Sequence, residues 1–164
     1  ADYSHFPFVH PGTLGDPENP QSEPITIEPL DGGFQYDIPQ PVNRLTRDNP
    51  ARQTYKLYLP FMLAIQRRQP GGFQRQTNIF LCSPVSNNET RFFRFMGRNF
   101  SDFQSDEELN RRHRLTFEQD KGIVESQRPE ELPLDLAEEL HVRGPDTPAI
   151  EYRRRLRDLG VHWI

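Results

Sequence analysis

An α+β fold, an antiparallel β-sheet packed on helices, is predicted for this chain of 164 residues. Three observations predict it. Apolar and polar residues alternate over much of residues 25–100, the period of a half-buried strand. Turn pairs such as Gly32-Gly33 and Asn87-Asn88 punctuate that region. After Ser105 the apolar spacing changes to that of an amphipathic helix. Strands first and helices last place the two kinds of element in separate layers around one core.

The elements follow in order. Residues 1–10 begin helix-like, but Pro7 removes a backbone donor and obstructs the turn before it, which predicts a break. Residues 13–24 read as a polar loop. Ile25 and Ile27, the Gly32-Gly33 turn, and alternating Phe34, Tyr36 and Ile38 read as a hairpin. Residues 53–66 alternate until Pro60, which calls for a strand end, an edge or a bulge. Gly71-Gly72 turns the chain. Residues 73–83 and 90–100 are two further strands around Ser86-Asn87-Asn88, completing a meander with one buried face. Ser105 and Glu108 form a capping box that starts a helix running to about residue 126. Residues 128–146 are a proline-broken connection. Thr147 caps a last helix, with Pro148 in its first turn and Gly160 ending it. The aromatics of LYLPFML and FFRF, and Cys82, are expected in the core. His113 and the basic face from Arg153 to Arg157 are expected in solvent, and His141 and His162 in packing or surface roles.

Composition narrows the function. A net charge of −4 provides no global basic field for nucleic acid. No apolar run approaches a membrane span. The single cysteine, Cys82, excludes an internal disulfide and fits a cytoplasmic setting.

The opening string ADYSHFPFVH carries the chemistry. It sets Asp2, His5 and His10 in the spacing D-x-x-H-x-x-x-x-H. In a regular helix the two histidines would splay by about 140°. The Pro7 break, with Pro11 and Gly12 after it, lets His10 swing back toward His5. An acid should complete the set. Asp120 has Phe117, Ile123 and Val124 at helical spacing and so lies on the apolar stripe of its helix. Glu118 and Glu125 instead neighbour basic residues and read as solvated ion pairs. A carboxylate on an apolar stripe needs a partner or a metal. Gly122 beside it suggests close approach of another backbone. Two histidines and one carboxylate form the facial triad of non-haem Fe(II) oxygenases, with positions left open for O2. Asp2, one helical turn before His5, is placed to hold that imidazole's other nitrogen. The blander alternatives stay open: Asp2 as a helix-start charge, and Asp120 paired with an arginine.

The strings DYSHFPFVHPGTLG, FEQDKGIVESQRPEELP and DTPAIEYRRRLRDLG resemble the catalytic domain of Rieske non-haem iron oxygenases, in particular its vanillate O-demethylase oxygenase-like branch. The resemblance covers nearly the whole chain. It implies a helix-grip fold and iron ligation by His5, His10 and Asp120. It also implies a catalytic role for Asp2, linking the iron to the Rieske cluster of a neighbouring subunit. A Rieske centre needs two cysteines and two histidines, and this chain has one cysteine. The chain is therefore expected to be a fragment, with residues 1–164 as the mononuclear iron domain, the [2Fe–2S] domain missing and the isolated piece inactive. The implied activity is an oxidoreductase of aromatic catabolism. As a monooxygenase or dioxygenase it would use Fe(II) and O2 to hydroxylate or O-demethylate a small aromatic substrate. Electrons would come from NAD(P)H through a reductase or ferredoxin, and the full-length form would be a homotrimer. The competing expectations are a helix-grip ligand-binding module without metal chemistry and a zinc-dependent hydrolase.

Overall fold

A computed structural model describes residues 4–11, 14, 18, 24–39, 52–68, 73–100 and 105–161. Asp2, His162, the Gly71-Gly72 turn and most of the loop expected at 13–24 lie outside the described residues. A single helical turn, α1 (Phe6–Val9), comes first. Six strands follow: β1 (Glu28–Leu30), β2 (Gly33–Pro39), β3 (Arg52–Tyr58), β4 (Met62–Arg68), β5 (Arg75–Ser86) and β6 (Glu89–Arg98). Each pairs with the next in an antiparallel meander. The helices α2 (Asp106–Glu125) and α3 (Thr147–Asp158) complete the fold, with one short 3₁₀ turn at Leu136–Glu138 between them. The α+β architecture is the one expected. Among the described residues no helix is long and apolar enough to cross a membrane.

Directly opposed residues of antiparallel strands share a face, so the register defines one inner surface. Its rows run Phe34–Leu57–Leu63–Phe80–Arg94, Tyr36–Tyr55–Ile65–Asn78–Met96 and Ile38–Gln53–Arg67–Gln76–Arg98. The β2–β3 end is apolar. Phe34, Tyr36, Ile38, Tyr55 and Leu57 form the buried core with Ile25, and Phe6 and Tyr152 pack against it. Each fully buried large side chain there contributes about 1.5–3 kcal/mol. The β4–β6 end mixes apolar Leu63, Ile65, Phe80 and Met96 with polar Asn78 and Gln76 and cationic Arg67, Arg94 and Arg98.

Pro60 falls in the tight turn between β3 and β4, as a strand end requires. Gly33 is needed for space. A Cβ there would lie 1.8 Å from the Leu57 carbonyl oxygen, a backbone atom of the paired strand. Gly33→Ala is expected to force the β2–β3 ladder apart and to destabilise by on the order of 1–3 kcal/mol. A thermal melt at an unchanged midpoint would show that the ladder absorbs the methyl group.

The Ser105 hydroxyl caps α2 by accepting from the Glu108 N–H at 3.2 Å. The Glu108 carboxylate turns to Arg111 rather than closing the box. Arg98 at the end of β6 pairs with Asp106 at 2.8 Å, tying the first turn of α2 to the sheet. Thr147 is the first residue of α3 and not its cap. Asp146 precedes it and accepts from the Val142 N–H.

The basic run of α3 corrects the solvated-face expectation. Arg153 is buried, donates to the Pro133 carbonyl and pairs with Glu139. Arg155 donates to the Gly33 carbonyl and lies over the Phe34 ring. Two arginines thus bind α3 to the core, because a guanidinium can satisfy backbone carbonyls that an apolar side chain would leave bare. Cys82 is exposed. All three phenylalanines of FFRF are exposed as well, Phe93 and Phe95 on the opposite face of β6 to Phe92.

Candidate metal centre

His5 and His10 bracket α1. The His5 carbonyl accepts from the Phe8 and Val9 N–H groups, and the His10 N–H donates to the Phe6 carbonyl at 3.0 Å. Pro7 sits in the first turn, where its missing N–H breaks no helical bond. It therefore starts the turn rather than breaking it. The chain leaves helical geometry at His10, whose φ of −121° and ψ of 51° bring the two rings to 5.3 Å between centroids. Phe6 fixes both, edge-on to His5 at 4.7 Å and tilted against His10 at 5.7 Å. The same ring packs on the buried core, so the sheet holds both imidazoles in place.

Asp120 meets them from α2. Its Oδ1 lies 2.8 Å from His10 Nε2 and 3.5 Å from His5 Nε2. The three candidate ligand atoms all lie within 4.8 Å of one another. Nitrogen and oxygen ligands at about 2.1 Å from one ion, in adjacent positions, sit about 3 Å apart. The two imidazole-to-carboxylate separations are near that value, and the donor set is one that suits a divalent transition metal. Three of the four residues singled out in the sequence, His5, His10 and Asp120, come together; Asp2 lies outside the described residues.

The route to Asp120 needs correction. Its side chain is 39% exposed, and Ile123 and Val124 are exposed too. The apolar stripe is therefore open on this side, and the Asp120 carboxylate is reached by solvent. A methyl group added at Gly122 would meet nothing within 4 Å, so close packing does not explain that glycine.

Gln119 is a residue that sequence reasoning missed. Its Oε1 lies 2.9 Å from His10 Nδ1. A carboxamide oxygen can only accept, so His10 donates to it from Nδ1, and the 2.8 Å approach of Nε2 to the Asp120 carboxylate calls for a proton or a metal ion between those two atoms. Adjacency to Asp120 was the available signal, but neighbouring helical residues diverge by about 100° and normally face different surroundings.

Along α2 the same face continues toward the cationic end of the sheet. Phe117 stacks on Phe92 at 4.6 Å, and Phe92 tilts against Phe80 at 5.7 Å. His113 is partly buried, contrary to expectation. Burial first, and then the charges of Arg94, Arg67 and Arg112, hold its pKa down at about 4.

The chain matches the family model "Vanillate O-demethylase oxygenase C-terminal domain" over residues 1–161. It is 31% identical over 161 residues to the methylxanthine N1-demethylase NdmA of Pseudomonas putida, covering 97% of this chain and 44% of that protein. It is 26% identical over 164 residues to the methylxanthine N3-demethylase NdmB of the same organism, covering 98% of this chain and 45% of that protein. The solved structure of NdmA with caffeine superposes with a TM-score of 0.81 at 29% identity, over 97% of this chain and 45% of that one. The chain thus spans less than half the length of these relatives.

Proposed function

Because the chain belongs to the vanillate O-demethylase oxygenase C-terminal domain family, we propose that residues 1–164 are the mononuclear iron domain of a Rieske-type oxygenase. The observation that carries this reading is the convergence of His5, His10 and Asp120 on one point. Bound there, Fe(II) supplies a redox-active centre with open positions at which O2 is activated. The protein's residues do the rest. Gln119 fixes the His10 tautomer and ring angle, and Phe6 holds the two imidazoles apart at a set spacing. Asp120 contributes the negative charge that offsets a divalent ion. Phe117, Phe92 and Phe80 form an aromatic cluster on the same face of α2 as Asp120, suited to orienting a flat ring.

The substrate on this reading is a small aromatic molecule, as caffeine is for the NdmA structure. Hydroxylation of the ring, or of a methyl group that then leaves as formaldehyde, consumes O2, two electrons and two protons and releases water. The electrons come from NAD(P)H through a reductase or ferredoxin and a [2Fe–2S] domain belonging to the whole protein. Asp2 lies at the family position that links iron to the cluster of a neighbouring subunit in a homotrimer. Reductase-coupled oxygen uptake by the full-length protein, together with its metal content, tests the reading. Substrate-dependent O2 consumption with bound iron is expected. Zinc content with hydrolytic turnover and no electron demand would replace it with a hydrolase.

Gln119→Leu is expected to keep the fold while weakening iron binding by about 10–100-fold, the usual effect of losing an outer partner of a ligating histidine. Unchanged iron affinity would show that the Phe6 contacts alone hold the His10 ring.

A further inference from the structure

The outer face of the sheet has a composition of its own. The helices pack on the inner face, through Phe6, Phe117 and Tyr152. Residues 52–100 hold eight of the chain's twenty basic residues and one of its twenty-four acidic ones. The register puts Arg52, Lys56, Arg68, Arg75 and Arg91 on the outer surface of β3–β6, with the acid, Glu89, at the β5–β6 turn. Between these cations run two apolar rows, Met62–Leu81–Phe93 and Ala64–Ile79–Phe95, and both phenylalanines are exposed. Among the described residues no carboxylate lies within ion-pair distance of Lys56, Arg68, Arg75 or Arg91. A solvated sheet face is ordinarily polar; an apolar patch rimmed by charge marks a contact surface.

The connection between α2 and α3 carries the complementary pattern. Residues 129–142 contain five acidic residues and no basic one. Glu130, Glu131, Asp135 and Glu138 are exposed, as are Val142 and Leu140, the latter by 91%. The segment is a fixed strap. Arg153 of α3 holds it through the Pro133 carbonyl and Glu139, and Glu131 accepts from Asn87 at the β5–β6 turn. A strap already ordered loses little conformational entropy on docking. It is tied to α3, which packs on the inner face, so within one chain the sheet stands between the two patches. A second copy offers each patch its complement. Two cationic outer faces repel one another, so the contact is head-to-tail, the kind that closes into a ring. The net charge of −4 disfavours the rival occupant, an anionic lipid surface.

We infer that the outer face of β3–β6 is the docking surface for the 129–142 strap of a second copy of this chain. Leu140 and Val142 cover the exposed phenylalanines, and the strap's acids face the surrounding cations. The inference assigns the surfaces through which copies meet, and it needs no metal at His5, His10 and Asp120. Failure of either claim therefore leaves the other standing.

Sedimentation velocity on the full-length protein over a range of concentrations tests it. The parent is expected to self-associate, less tightly as salt is raised. Arg75→Glu with Arg91→Glu reverses the sheet patch, and Glu130→Lys with Glu138→Lys reverses the strap; each pair should weaken association by about ten-fold or more. All four changes in one chain restore opposite charges across the contact and should recover most of the association. Phe95→Ser and Leu140→Ser should each weaken it through the apolar half of the contact. These side chains are exposed, so thermal melts should match the parent's, and Arg111→Glu, on the exposed side of α2, should leave association unchanged. A monomeric parent, association that neither charge reversal weakens, or a loss that the quadruple variant does not recover overturns the inference. Pelleting with phosphatidylserine vesicles that requires Arg75 and Arg91, in a protein whose association ignores them, assigns the face to a membrane instead.

Discussion

Replacing His10 by alanine in the full-length protein will remove the chelator-accessible Fe(II) of the domain and with it all oxygen uptake. The expectation follows from placement. His10 is fully buried, its Nδ1 is engaged by Gln119 and its Nε2 lies 2.8 Å from Asp120 Oδ1. A methyl group supplies no donor where the imidazole nitrogen was aimed. The loss should therefore exceed the roughly 10–100-fold penalty of an outer-partner deletion. His10→Ala also opens a cavity, so His5→Ala serves as the companion. His5 is 31% exposed, and truncating it disturbs packing less. Iron retained at full stoichiometry in both variants, measured after mild chelation, would remove these histidines from the metal.

Asp120→Asn will keep the shape of the site and lose its charge. A carboxamide fills the same volume on α2, so the helix and the Phe117–Phe92 stack should survive, with the melting temperature little changed. Iron binding should weaken and turnover stop, because a neutral carboxamide oxygen offsets a divalent ion far less than a carboxylate does. The same variant separates a metal site from a plain histidine–aspartate ion pair. An ion pair at a 39% exposed carboxylate is worth little, and its loss would leave oxygen uptake intact. Unchanged turnover in Asp120→Asn would point to another acid as the third ligand.

The sheet is largely legible in the sequence because its determinants are local. Alternation over Phe34–Ile38, the Asn87-Asn88 turn and the Ser105 cap each act over a few residues, and each appears where its chemistry places it. Pro7 misleads because a proline in a first turn and a proline that breaks a helix carry the same letter. Only the start of α1 decides between them. Asp120 stands out through an apolar stripe that is in fact open to solvent at Ile123 and Val124. The stripe does set the facing of α2, since Phe117 packs on Phe92 and Asp120 follows it on that face.

Other features cannot be read locally at all. Gln119 acquires its role only when α1 is brought against α2, more than a hundred residues later in the chain. The His113 environment depends on Arg67 and Arg94, which arrive from two separate strands. Arg153 and Arg155 read as a solvated face because, besides Glu139 and Glu151, their partners are the backbone carbonyls of Pro133 and Gly33, and any residue type supplies a carbonyl. Long-range placement of polar groups is thus where periodicity stops being informative.

Anaerobic titration of the iron-stripped full-length protein with Fe(II), beside the His5→Ala, His10→Ala and Asp120→Asn variants, tests the central claim most directly. The account predicts one tight mononuclear site per chain in the parent, absent or strongly weakened in all three variants while each remains folded. Tight uptake at the parent's stoichiometry in all three, or none in the parent, would contradict it.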